Sequence, residues 1–199
     1  YPGVITIAED NSLYPCITAG LSENSLGFDL KWNTGFTNDY LNYIAHSNME
    51  RKDYQNDLIF STVYAYTEKF LLPFSHDDVV HGKGSLAFKM PGTIEEKFAN
   101  LRLSLAYKMT HPGKKLTFMG QDMGVMEEWN EKKSLKWNLL EYPVHKGINQ
   151  LCSDLNSLYR TEDALYYFDD SSEGFEWINS IINQTTCLSF LRMGNEAEE

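Results

Sequence analysis

A single unbroken stretch, residues 69–120, does most to limit the folds open to this chain. "KFLLPF" is a short apolar run of the kind that makes a buried strand, and a polar loop, "SHDDVVHGKG", follows it. "MPGTIEEKFANLRLSLAYKM" then carries apolar residues at helical spacing: Ile94, Phe98, Leu101, Leu105 and Met109. Thr93, with Glu96 three residues on, makes a capping box at its start, and His111 in "HPGKK" stops it. "LTFMG" is the next strand. Strand, helix and strand in this order form a parallel unit, with the polar loop at the carboxyl end of its first strand.

The same grammar appears upstream. "GVITIAED" is a strand ending in carboxylates, "LGFDLKW" alternates and ends in Lys-Trp, and a helical stretch around "DLIFSTVYAYTEKF" leads into "LLPF". Four strands are expected, at about 4–8, 27–32, 70–74 and 116–120. Repeated βα units build either a barrel or a doubly wound sheet. No G-x-G-x-x-G or G-x-x-x-x-G-K-[ST] follows any of the strands, which weakens the nucleotide-binding alternative. A (β/α)₈ barrel takes about 250 residues, roughly 30 per unit. The 68 residues from Glu9 to Asp77 are therefore about two units, and four units make half a barrel. "DLNSLYR" reads as the end of the last barrel helix. "GFEWINSIINQTTCLSFLRM" reads as two strands about a turn at Asn183-Gln184. The expected division is residues 1–163 for the half-barrel and 164–199 for the start of an all-β domain. The chain begins and stops beside strands, as a piece of a longer protein would.

The formal charge of -11 disfavours a nucleic-acid partner, because phosphate binding requires clustered Lys and Arg. No apolar run approaches the roughly 18 residues of a membrane span, so no membrane partner is expected. Twelve Tyr, eleven Phe and four Trp offer flat apolar faces on which a sugar ring can lie, although packing is their default use. Cys16, Cys152 and Cys187 are odd in number and far apart, which fits a reducing, cytoplasmic compartment better than a disulfide framework. The sequon at Asn183 is too common a triplet to carry weight.

Three chemistries compete at the strand ends. His76, Asp77, Asp78 and His81 can be a metal cluster, a sugar clamp or a solvated loop. Two-metal hydrolases need further histidines at ligand spacing, and none of the five in this chain provides it. Glu9 and Asp10 end the first strand, where a barrel carboxylate faces the catalytic mouth, and Asp77 ends the third. Glycoside chemistry needs a proton donor at the leaving oxygen and carboxylates near the anomeric carbon. Glu9 and Asp77 supply part of that set, but no other strand end offers an obvious nucleophile.

"PGVITIAED", "SLGFDLKWNTGF", "YTEKFLLPFSHDDVVHGKGSL", "KMPGTIEEKFANLRL", "HPGKKLTFMGQDMG", "EEWN", "DLNSLYR" and "GFEWI" occur in one order along nearly the whole chain. Together they resemble the second half of the catalytic domain of bacterial-type 1,4-α-glucan (glycogen) branching enzymes, of the α-amylase superfamily. The resemblance implies strands 5–8 of a (β/α)₈ barrel followed by an all-β domain, a retaining transfer of an α-1,4-glucan chain to a 6-hydroxyl, and no cofactor. It places Glu9 at the general acid/base, Asp77 at the transition-state-stabilising aspartate and His76 at the sugar-binding histidine. The nucleophilic aspartate would precede Tyr1, so the chain alone is expected to be inactive and to need the preceding half of the barrel. A different amylase-type transglycosidase, or a glucan-binding piece without catalysis, is the alternative. Asp78 and Asp122 stand where the bacterial pattern usually has Glu, and Asp10 where it often does. Trp32 and Trp129 are expected to line the sugar groove, Lys31 to reach a hydroxyl or neutralise the acids, and Trp137 to be buried.

Overall fold

The structure, a computed structural model, describes residues 2–12, 14–20, 24–179 and 187–195. Its centre is a parallel sheet of four strands: β1 (Ile7–Ala8), β2 (Leu30–Trp32), β3 (Phe70–Phe74) and β4 (Lys114–Thr117). Their spatial order is their chain order, and every neighbouring pair is parallel. A doubly wound sheet reverses its strand order at a switch point, and these four strands contain no such reversal. The order is that of a sheet wound in one direction.

β3 is buried at all five positions, as expected for a parallel strand covered on both faces. Helices α1 (Thr34–Ala45) and α2 (Gln55–Tyr64) connect β2 to β3. The short α3 (Leu86–Lys89) and the long α4 (Ile94–Thr110) connect β3 to β4, and α5 (Pro143–Thr161) follows. Phe36 and Tyr40 of α1, Leu72 and Phe74 of β3, and Phe98, Leu101 and Leu105 of α4 form the core, with Ile148 of α5 closing it. The Tyr40 hydroxyl donates to Ser104 Oγ at 2.9 Å, so its ring is buried without stranding a polar group. Among the described residues the link from β1 to β2 has no helix. It is held instead by Glu68, which accepts from the amides of Ile17 and Thr18, both at 2.8 Å.

The capping box at α4 forms as its spacing predicts: Glu96 N donates to Thr93 Oγ1, and Thr93 N to Glu96 Oε2. His111 is the residue that ends α4. Three expectations change. β1 and β2 are shorter than the runs that suggested them, and α1 has no counterpart in the expected element list. β4 begins at Lys114 and ends at Thr117, earlier than 116–120. The two lysines look like part of a polar stop, but both amines are engaged. Lys115 Nζ donates to the carbonyls of His111 and Gly113, and Lys114 pairs with Asp169 at 3.2 Å. Beyond Thr117 the backbone turns, with Gly120 at φ 78°.

The C-terminal strands β5 (Phe175–Asn179) and β6 (Ser189–Arg192) pair antiparallel, while the expected turn at Asn183-Gln184 lies outside the described residues. Phe175, Trp177 and Phe190 pack together, and Phe175 and Phe190 reach His111 and Tyr107 at the end of α4. The hairpin thus sits at the amino end of β4, on the side of the sheet opposite the strand carboxyl ends. No described helix is long and apolar enough to cross a membrane.

Candidate functional site

Parallel strands in sequential order deliver all four carboxyl ends to one rim of the sheet. Ala8 is buried at the end of β1, and the next residue, Glu9, is exposed. Asp10 then turns back: it accepts from Ser12 N at 3.1 Å and Ser12 Oγ at 3.0 Å, and pairs with Lys31 Nζ at 3.1 Å. The Ser12 hydroxyl bond first, then Lys31 and the Ser12 amide, hold the Asp10 carboxyl below the usual carboxylate range. Lys31 is buried opposite Ala8, and its ammonium also lies 3.4 Å from the Ser12 carbonyl. Lys31 thus pairs with one of the two acids that follow β1, Asp10.

Trp32, the last residue of β2, is half-buried and meets His76 edge to face, with ring centroids 6.3 Å apart. Ser75, buried at the end of β3, starts a single 3₁₀ turn, His76–Asp78. Its hydroxyl accepts from Asp77 N at 3.2 Å, and Asp78 Oδ2 accepts from Ser75 N at 3.0 Å. The Asp78 carboxylate is therefore spent closing the turn, which aims the preceding two side chains outward. His76 Nε2 lies 3.1 Å from Asp77 Oδ1. Beyond β4, Phe118 stands 6.1 Å from His76 and 5.1 Å from Trp129. Trp32, His76, Phe118 and Trp129 thus make one row of rings along the rim.

A cleft of about 470 Å³ opens beside this row, lined by Asn11, Trp32, Thr34, Ser75, Asp77 and Lys83. Glu9 lines an adjacent cleft of about 420 Å³ with Asp10, Tyr14 and Phe28. Thr34 Oγ1 donates to Asn11 Oδ1 at 2.8 Å, tying the loop after β1 to the start of α1. Glu9 and Asp77 follow strands separated by β2, two strand spacings or about 10 Å of sheet. Asn11, Ser75 and Phe118 were not singled out from the sequence. Phe118 falls inside the strand expected at 116–120, and only the earlier end of β4 at Thr117 places it beyond the sheet.

Trp137, expected to be buried, is 64% exposed on the loop after β4. The histidines serve separate local purposes. His46 stacks on Tyr54, His145 Nδ1 bonds the Met123 carbonyl at 2.7 Å, and His111 is buried between Ser61 and the Pro112 carbonyl. Among the described residues no group of three or more His, Cys, Asp or Glu could hold a metal ion. The rim instead combines carboxylates, an imidazole, hydroxyls and flat rings, groups that match the hydroxyls and apolar faces of a sugar.

No protein-family model matches the chain. Curated relatives do. The chain is 46% identical over 198 residues to a 1,4-alpha-glucan branching enzyme of Rhodopirellula baltica, covering 100% of this chain and 27% of that protein. It is 48% identical over 199 residues to the one from Aquifex aeolicus, covering 100% and 32%, and 48% identical over 193 residues to the one from Nitrosococcus oceani, covering 97% and 26%. The chain therefore spans about a quarter to a third of the relatives it matches.

Proposed function

We propose that this chain, homologous along its whole length to 1,4-alpha-glucan branching enzymes, is the carboxyl-terminal half of such an enzyme's catalytic barrel. In this reading residues 1–163 supply strands 5–8 of a (β/α)₈ barrel, and residues 164–199 begin an all-β domain. The substrate is an α-1,4-glucan, the partner is the preceding half-barrel, no cofactor takes part, and the setting is the cytoplasm.

Glu9 is the general acid/base. Its carboxylic acid protonates the leaving glycosidic oxygen as an aspartate from the preceding half attacks the anomeric carbon. The resulting carboxylate then accepts the proton of an acceptor 6-hydroxyl, which displaces the enzyme ester and creates the branch. Asp77 stabilises the oxocarbenium-like charge that develops in both steps, and His76 holds a hydroxyl of the same sugar. Trp32 and Trp129 line the glucan groove, and Lys31 balances the acids at the end of β1.

The observation that carries the reading is the rim itself, where the four sequential parallel strands bring Glu9, Trp32 and the His76-Asp77 pair to one side of the sheet. The test is a shift in the iodine spectrum of amylose. The chain alone is expected to leave the spectrum unchanged. The full-length polypeptide shifts it, Glu9→Gln abolishes the shift, and chelators have no effect. Branching by the chain alone, or loss of the full-length activity in chelator, would overturn the reading.

A further inference from the structure

Beyond Asp77 the backbone turns through His81, Gly82 and Gly84 with φ of 59°, 83° and 72°. Left-handed residues packed this closely aim their N–H groups into a concavity that receives an anion. The anion here is Glu128, from the loop after β4. Its Oε2 accepts from Gly84 N at 2.8 Å, and the Gly82 amide bonds it as well. These bonds, the Gly84 one foremost, hold the Glu128 carboxyl below its usual range. The next residue, Trp129, donates its amide to the Val79 carbonyl at 3.2 Å. A side chain at Gly84 is disfavoured by its φ of 72° and would displace the Phe88 ring, which lies 2.6 Å from a Cβ placed there. The turn is held from outside. Lys83, between the two glycines, sends its ammonium to the Asp77 carbonyl at 2.6 Å.

We infer that Glu128 is a positioning residue: it holds the 79–84 turn in the shape from which Lys83 fixes the backbone of Asp77. The inference rests on the proposed role of Asp77. In this role Glu128 acts on the transition state only through that backbone, so its loss falls on kcat rather than on KM.

The experiment uses the full-length polypeptide with Glu128→Ala, Glu128→Gln and Lys83→Met. Glu128→Ala is expected to lower kcat about tenfold with KM changed less than twofold, and to speed amide exchange within residues 79–84. Glu128→Gln keeps an acceptor without the charge and falls in between, which also covers a poorly folding alanine variant. Glu128→Ala and Lys83→Met cut the same link, so their effects on kcat are non-additive. Unchanged exchange overturns the latch. Faster exchange with an unaltered kcat, or additive effects, overturns the positioning role. A wild-type polypeptide without branching activity overturns the proposed function and the positioning role together, while the exchange comparison still decides whether Glu128 holds the turn.

Discussion

Lys108 sits in an environment at odds with its chemistry. It lies 1% exposed on α4, with its ammonium 2.7 Å from the Leu116 carbonyl, 2.6 Å from Thr117 Oγ1 and 4.6 Å from the Phe74 ring centroid. Among the described residues no carboxylate pairs with it. Burial lowers its pKa from 10.5 to about 7, only partly opposed by the nearby Cys152. Between those two values the unfolded chain holds a proton that the folded chain does not, so stability rises as pH climbs from 7 to 10.5 and falls again on return. The slope is about 1.4 kcal/mol per pH unit. Urea midpoints measured from pH 7.5 to 9.5 are expected to increase, and Lys108→Met is expected to raise the pH 7.5 value and remove about one proton's worth of slope. An unchanged slope in that variant would place the titration elsewhere, most directly at Lys115, whose pKa is likewise lowered to about 7 by burial. A sequence does not reveal such a lysine, because its position on α4 looks like any polar interruption of an apolar stripe. Asp78 reads in the sequence as one more acid beside Asp77, whereas its bond to Ser75 N shows that it closes a turn.

At the scale of elements, α4 was legible from end to end because cap, stripe and stop are all local signals. Thr93→Ala is expected to cost about 1 kcal/mol by removing the hydroxyl that accepts from Glu96 N, read as a lower thermal midpoint. α1 was not legible. Thr34, Gly35, Thr37, Asn38 and Asp39 are poor helix formers, yet Phe36, Tyr40, Tyr43 and Ile44 recur at helical spacing and all are buried. Tertiary burial decided that helix, started by the Asn33 side chain accepting from Phe36 N at 2.9 Å. The hairpin was legible as two strands, but its seat was not. Arg192 of β6 donates to Asp169 Oδ1 at 2.9 Å and to the Thr110 carbonyl at 2.9 Å, and Asp169 also receives Lys114 and the Tyr159 hydroxyl. Burial alone would raise the Asp169 carboxyl, but the charge of Lys115 and the Tyr159 and Arg192 bonds bring it below its usual range. Its contribution is therefore present above the unfolded value of 3.8 and lost as pH falls below it. Arg192→Ala is expected to cost about 3 kcal/mol and to red-shift Trp177 emission as the hairpin loosens. A variant with unchanged emission would mean that the aromatic contacts of Phe175 and Phe190 suffice to seat it.

At the scale of the molecule, β1 and β4 each have a neighbour on one side only among the described strands. Unpaired backbone edges invite pairing with another chain. The chain alone is expected to self-associate with rising concentration in light scattering, and co-expression with the half-barrel proposed to precede it is expected to suppress that association. A monomer at high concentration would show that the edges are protected within the chain. By itself the sequence determined the parallel βα grammar, the α4 boundaries, the hairpin strands and the residues at the strand ends, because periodicity, caps and motif words are written in neighbouring positions. Tertiary structure decided what no neighbourhood encodes. It set the strand order that gathers distant strand ends onto one rim, the Lys31–Asp10 pairing, the row of rings from Trp32 to Trp129 and the grip of Glu128 on the 79–84 turn. Each of these joins residues far apart in the chain, and only the packing of helices against the sheet brings them within reach.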